Sequence, residues 1–215
     1  MRMESEAAPF SAADLRTRMA RMGTGEDETT RYGDHLLNPD LVQLAEHAEA
    51  RDAAVLVPVV DYGLGTEAGV ILTTRAAHLR KHSGQIAFPG GSVDPGDGSP
   101  EAAALREAEE EVALERRFVE PIGRLPRYFT TTGFRITPVV AIVSPGYELR
   151  PSPSEVDDAF EVPLGFLMNA ANHRQESRVW NDVLRHYYTM PFGDRFIWGV
   201  TAGIIRTLYE RFYAS

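Results

Sequence analysis

Apolar positions along the chain recur with two different periods. Leu15 and Met19 stand four apart within Ser11 to Met22, and Ser11 with Asp14 forms an N-terminal capping pattern, so this segment predicts a short helix. Gly23 to His35 is polar and predicts a loop. Asn38-Pro39-Asp40 then supplies an N-cap, a first-turn proline and an early acid for a helix reaching about Ala50. Ala53 to Val60 is a continuous Val-rich run that predicts a buried strand, with Gly69 to Thr74 as its hairpin partner across Gly63-Leu64-Gly65. From Arg75 to Ser99 the chain is polar and Gly-rich, and long irregular segments inside compact domains usually carry function. Ser99-Pro100-Glu101 opens a helix to about Ala113, and Phe118 to Leu125 and Ile136 to Val143 predict strands. Pro163 to Ala170 predicts a short helix, Arg185 to Met190 a strand, and Trp198 to Phe212 a final amphipathic helix with Trp198, Ile204, Ile205 and Leu208 in the core. This irregular alternation predicts an α/β fold with a mixed sheet between helices, in which residues 1–50 form an N-terminal helical extension and residues 51–215 the main domain.

Charge and composition remove several classes of function. The 215 residues carry 22 Lys+Arg against 31 Asp+Glu, a formal net charge of −9, and the pI is near 5.2. That balance argues against nucleic-acid binding through a broad basic face, and no basic stripe interleaved with aromatics is present. The absence of cysteine excludes a disulfide scaffold, Cys-ligated zinc or iron–sulfur sites, and thiol catalysis. No apolar run is long enough to cross a bilayer, and the N-terminus lacks signal-peptide order, so the expectation is a cytoplasmic protein with no membrane partner. An acidic protein acting on an anionic phosphate compound requires cations to offset the repulsion.

The candidate chemistry lies in Leu105 to Leu114. With Glu107 at zero on a helical wheel, Glu111 falls near 40° and Glu110 near 300°, roughly 100° of arc for three carboxylates, while Leu105, Ala108 and Val112 form a separate apolar face. Arg106 precedes Glu110 by four positions, close enough to pair with it. Such an arc is either a solvated acidic face or a site for a hard divalent cation, and helical spacing does not choose between them. The preceding loop does inform the choice. Arg75, Arg80 and Lys81 can neutralise phosphate charge, and Gly90-Gly91 permits a tight turn and close backbone approach to a ligand. His78 and His82 read as surface or hydrogen-bonding residues, and Phe129 and Phe134 as packing residues rather than an adenine platform.

Gly91 to Leu114 resembles a Nudix box: Gly, five residues, Glu, seven residues, then Arg-Glu-hydrophobic-x-Glu-Glu-x-Gly-hydrophobic. Arg106-Glu107-Ala108-Glu109-Glu110-Glu111-Val112-Ala113-Leu114 matches the second half, with Ala113 in place of glycine. In the first half Asp97 replaces Glu, and eight residues separate it from Arg106. These departures resemble the coenzyme A pyrophosphatase branch. Ile71-Leu72-Thr73-Thr74-Arg75, Arg80, Gly84 and Phe88-Pro89-Gly90-Gly91 are similar to that branch's upstream motif, with Ala76 where its serine stands. The resemblance implies a Nudix α/β/α sandwich and metal-dependent hydrolysis of the pyrophosphate of coenzyme A or a derivative, giving adenosine 3′,5′-bisphosphate and 4′-phosphopantetheine or its acyl form. It implies Glu107 and Glu111 as metal ligands for Mg²⁺ or Mn²⁺. Glu110 is implied as a further ligand or a participant in water activation, with Arg106 orienting it. Arg75, Arg80, Lys81, Gly90 and Gly91 are the implied substrate-binding residues. The alternatives are a Nudix hydrolase of another nucleoside diphosphate derivative, such as ADP-ribose or NADH, and a non-catalytic Nudix-fold ligand sensor. The expected partner is a small nucleoside diphosphate compound, and the possibility of a homodimer is left open.

Overall fold

In the computed structural model the described residues are 7–22, 32–41, 50–79, 82–180 and 182–214. The strands are β1 (Tyr32–Gly33), β2 (Arg51–Val60), β3 (Gly69–Arg75), β4 (Ile86–Ala87), β5 (Gly90–Ser92), β6 (Val119–Arg124), β7 (Tyr128–Phe129), β8 (Phe134–Val143) and β9 (Val156–Pro163), followed by β10 (Arg174–Trp180), β11 (Val183–Phe192) and β12 (Arg195–Trp198). The helices are α1 (Ala12–Met22), α2 (Pro100–Val112), the single-turn α3 (Leu164–Leu167) and α4 (Gly199–Phe212).

The main sheet runs β1-β7-β8-β2-β3-β4, with β5 added to β2, β6 to β8 and β9 to β3. β2 and β8 pair in parallel from Arg51↔Phe134 to Val60↔Val143, whereas β3 pairs antiparallel with both β2 and β9, so the sheet is mixed. Strand alternation sends neighbouring side chains to opposite faces. Val57, Val59, Val140 and Ile142 join Leu15, Met19, Ile205 and Leu208 of α1 and α4 in one core. Leu56, Val60, Val139, Ala141 and Val143 join Ala104, Ala108 and Val112 of α2 in the other. The result is an α/β/α sandwich, and α1, far from hanging off the domain, contributes to its larger core. Ser11 caps α1 by accepting from the Asp14 N–H at 3.2 Å.

Pro58 lies inside β2, where a central strand normally excludes proline. The free edge of β2 is shared, however. Ala53 to Val55 pair with β5 and Val59 to Val60 with β3, so Pro58 falls in the gap where no ladder donor is required.

Several expectations change. Gly90-Gly91 is not a tight turn but part of β5, paired with Val55 and Ala54. The Arg75 to Ser99 segment therefore holds two short strands rather than one irregular loop. The helix expected from Pro39 begins as a short 3-10 turn, Pro39–Leu41, and its remainder lies outside the described residues. So does most of the loop from Gly23, although Tyr32–Gly33 pair in parallel with Tyr128–Phe129. β9, β10 and β12 were not anticipated. β10, RQESRVW, is exposed along its whole length and so lacks the apolar alternation that marks a strand.

Candidate functional site

Local sequence chemistry fixes both ends of α2. The Ser99 side chain accepts from the Ala102 N–H at 3.1 Å and Pro100 occupies the first turn. Ala113 ends the helix in the left-handed region at φ 56, with its N–H on Glu109 O and the Leu114 N–H on Ala108 O. This is a position that favours glycine, which explains the glycine of the box pattern and makes Ala113 a strained substitute.

Arg106 is the hub of the site's outer side. Its Nε donates to Asp97 Oδ1 at 2.8 Å and its Nη2 to Asp97 Oδ2 at 3.0 Å, a two-point fork. Nη1 donates to Glu107 Oε1 at 2.9 Å and Glu110 Oε2 at 3.1 Å, and Nη2 also reaches the Ser92 carbonyl at 3.3 Å. The Asp97 carboxyl is pulled down to about 2, first by the Arg106 bonds and then by the Asp94 N–H. The expected Arg106–Glu110 pairing is present, and Asp97 has a structural reason to be acidic: it holds the guanidinium.

The inner side is different. Glu111 is only 2% exposed, and its Oε2 accepts from the Gly90 N–H at 3.1 Å. Arg75 Nη1 stands 3.8 Å from Glu111 Oε1. Burial pushes the Glu111 carboxyl up to about 7; the Gly90 N–H and Arg75 oppose that rise, and Glu107 and Glu155 add to it. Glu107 is also pushed up, mainly by burial, with Arg106 pulling the other way. One oxygen each from Glu107, Glu111 and Glu155 lies within 4.8 Å of the others, an all-carboxylate group able to hold a cation. Glu110 stands outside this group with its side chain 57% exposed, and Glu109 points elsewhere, bonding Arg116 at 3.2 Å.

β5 forms the wall against this cluster. A Cβ on Gly91 would sit 2.6 Å from the Glu107 carboxylate carbon, and one on Gly90 would sit 2.4 Å from the Ala54 carbonyl oxygen. Close approach to the β2 backbone therefore requires glycine at 90, and a side chain at 91 would displace the Glu107 carboxylate. Arg75, at the end of β3, has a buried Nε with no hydrogen-bond partner among the described residues. Arg80 and Lys81 lie outside the described residues. His78 is exposed and His82 bonds Gln85 at 2.8 Å, so the surface reading of the two histidines holds.

Glu155 was missed by sequence reasoning. It precedes β9, and its carbonyl accepts from the Ala76 N–H at 2.9 Å while the Ser152 N–H bonds the Glu111 carbonyl at 2.8 Å. These bonds tie the 152–155 turn to both β3 and the end of α2. No spacing rule links Glu155 to the box; its only sequence signal is an acid after Ser152-Pro153-Ser154, a turn-forming stretch, directly ahead of Val156.

The family model described as NUDIX domain matches residues 50–182. The chain belongs to the Nudix family. A protein named as an uncharacterized Nudix hydrolase NudL from Salmonella paratyphi B is 44% identical over 181 residues, covering 80% of this chain and 88% of the relative. The same figures hold for the NudL of Salmonella newport. An Ap4A hydrolase from C. elegans, solved as a binary complex, is 21% identical, with a TM-score of 0.45 over 53% of this chain and 80% of that one. As a Nudix hydrolase, the protein acts on a nucleoside diphosphate derivative, a chemistry for which the family generally uses divalent metal. Among the described residues, no helix is long and apolar enough to cross a membrane.

Proposed function

We propose that this Nudix hydrolase cleaves the pyrophosphate of coenzyme A or a derivative, with Mg²⁺ or Mn²⁺ held by Glu107 and Glu111 and completed by Glu155. One observation carries the reading: the upstream Arg75 to Gly91 motif and the box share one wall. Gly90 donates directly to Glu111, and Arg75 stands over the same carboxylate. The substrate motif and the cation motif thus serve one site.

The donor set supports a hard divalent ion. Three carboxylates converge, one of them buried enough that its carboxyl rises to about 7, and all the ligand atoms are oxygens. A bound Mg²⁺ or Mn²⁺ neutralises diphosphate charge and makes water more acidic. Arg106 fixes Glu107 and Glu110 in place before substrate arrives. Glu110, on the solvent side of the cluster, takes up the proton of the attacking water or joins the cation's ligands. The Arg75 side chain is 30% exposed and offers its outer guanidinium nitrogens to an anionic phosphate oxygen, and Gly90 and Gly91 let the backbone approach it. Arg80 and Lys81 supply further positive charge for the diphosphate or the 3′-phosphate. Water adds across the P–O–P bond, so each product keeps one phosphate of the diphosphate: 4′-phosphopantetheine or its acyl form, and adenosine 3′,5′-bisphosphate, which also keeps its 3′-phosphate.

A chromatographic panel of coenzyme A, ADP-ribose and NADH, each with Mg²⁺ and Mn²⁺, tests this reading. Coenzyme A is expected to have the highest kcat/KM, with EDTA abolishing product. Preference for ADP-ribose or NADH would keep the box chemistry and discard coenzyme A specificity. Binding without turnover on every substrate would favour a ligand sensor.

A further inference from the structure

β10 is the outer strand of the β10-β11-β12 sheet, and all seven of its residues are exposed. Along a strand, alternate residues direct N–H and C=O groups to opposite edges, so β10 presents an open ladder on the side away from β11. It contains no proline, glycine or bulge that would block pairing. Its charges alternate with polar residues: Arg174, Glu176 and Arg178 share one face with Trp180, as their pairing with Thr189, Tyr187, Arg185 and Val183 requires.

Within the hairpin, Arg178 lies directly opposite Arg185, a like-charge pair that disfavours the isolated sheet. Among the described residues no carboxylate pairs with Arg178. At the same end, Val179 and Leu184 on one face and Trp180 and Val183 on the other are exposed at 62%, 54%, 51% and 40%, on an otherwise acidic protein.

We propose that β10 pairs antiparallel with β10 of a second copy of this chain, about a two-fold axis at Ser177. In that register all seven residues are matched. Glu176 of each copy meets Arg178 of the other, Trp180 meets Arg174, and Val179 meets Gln175. The carboxylate partner that Arg178 lacks among the described residues is supplied by the second copy. Centring the axis on Glu176 instead would place Glu176 against Glu176, and centring it on Arg178 would place Arg178 against Arg178. The charge pattern therefore selects one register and repels its two nearest competitors. Arg174 of each copy stands against Trp180 of the other, within reach of a cation–π contact. The inference is independent of substrate.

Sedimentation of the full chain across micromolar concentrations tests it. Wild type is expected to reach twice the 23.8 kDa monomer mass. Arg178→Glu and Glu176→Arg, each alone, bring like charges together, and each should weaken self-association at least tenfold. Mixed in equal amounts, the two variants restore both opposite-charge pairs and should dimerise again. Ser177→Asp sets two carboxylates on the axis and serves as a second disruption should either charge variant fail to fold. A wild type that stays monomeric would overturn the proposal. So would a charge variant that associates as wild type does, or a mixture of folded variants that remains monomeric.

Discussion

The two sides of α2 treat the same side chain in opposite ways. On the outer side one guanidinium serves three carboxylates: Arg106 forks onto Asp97 and donates to Glu107 and Glu110, and the Asp97 carboxyl falls to about 2. On the inner side Glu111 is buried with one backbone N–H at 3.1 Å and Arg75 at 3.8 Å, and its carboxyl rises to about 7. The outer carboxylates are held by hydrogen bonds from one guanidinium, and that side holds geometry. The inner side lacks enough positive charge, and a divalent cation is the natural complement. Glu107 belongs to both, which makes it the joint between the positioning network and the cation site.

The sharpest way to break this contrast is to remove charge on the inner side. Glu111→Gln or Glu107→Gln should lower kcat by about 10²- to 10³-fold, since metal stabilisation of transition-state charge is worth several kcal/mol. Steady-state turnover at saturating Mg²⁺, with circular dichroism to verify folding, measures this. Arg106→Ala acts through positioning alone and should cost about 10- to 100-fold, the range for residues that orient metal ligands. An effect as large as that of Glu111→Gln would erase the distinction between the two sides. Arg75→Ala should raise KM by about tenfold with a smaller change in kcat, as for a charged hydrogen bond made to ground and transition state alike.

Acidity sharpens the comparison further. Because the folded Glu111 pKa lies above its ordinary value of 4.5, its contribution to metal-free stability is complete below pH 4.5 and is lost as pH rises through about 7. The loss is roughly 3 kcal/mol at most, by the conversion of 1.36 kcal/mol per pKa unit. Denaturation of metal-free protein at pH 5 and pH 8 should show it, and Glu111→Gln should reduce the slope, leaving the part due to groups such as Glu107 that burial also pushes up. The smallest effect expected is at the helix end. Ala113→Gly relieves the left-handed alanine and should stabilise the protein by about 0.5–1 kcal/mol in denaturant titration, with turnover unchanged.

Much of this arrangement was legible in the chain. The capped helix, its carboxylate arc and the Arg106–Glu110 pair follow from helical geometry, and the buried strands β2 and β8 follow from apolar runs. Gly90-Gly91 was legible as a place of close approach but not as a strand, because short strands inside a Gly-rich segment carry no periodicity. Glu155 was illegible for another reason. It reaches the site through the antiparallel pairing of β3 with β9 and the bond of the Ser152 N–H to the end of α2, long-range contacts that no local spacing encodes. β10 escaped notice because exposure on both faces leaves no apolar alternation.

The most direct test is a Mn²⁺ titration followed by electron paramagnetic resonance, with proton release recorded near pH 6. The wild type should bind Mn²⁺ and release protons as Glu111 ionises, while Glu111→Gln should bind at least tenfold more weakly with less proton release. Equal Mn²⁺ affinity in the two proteins would contradict the assignment of the inner carboxylates as the cation site.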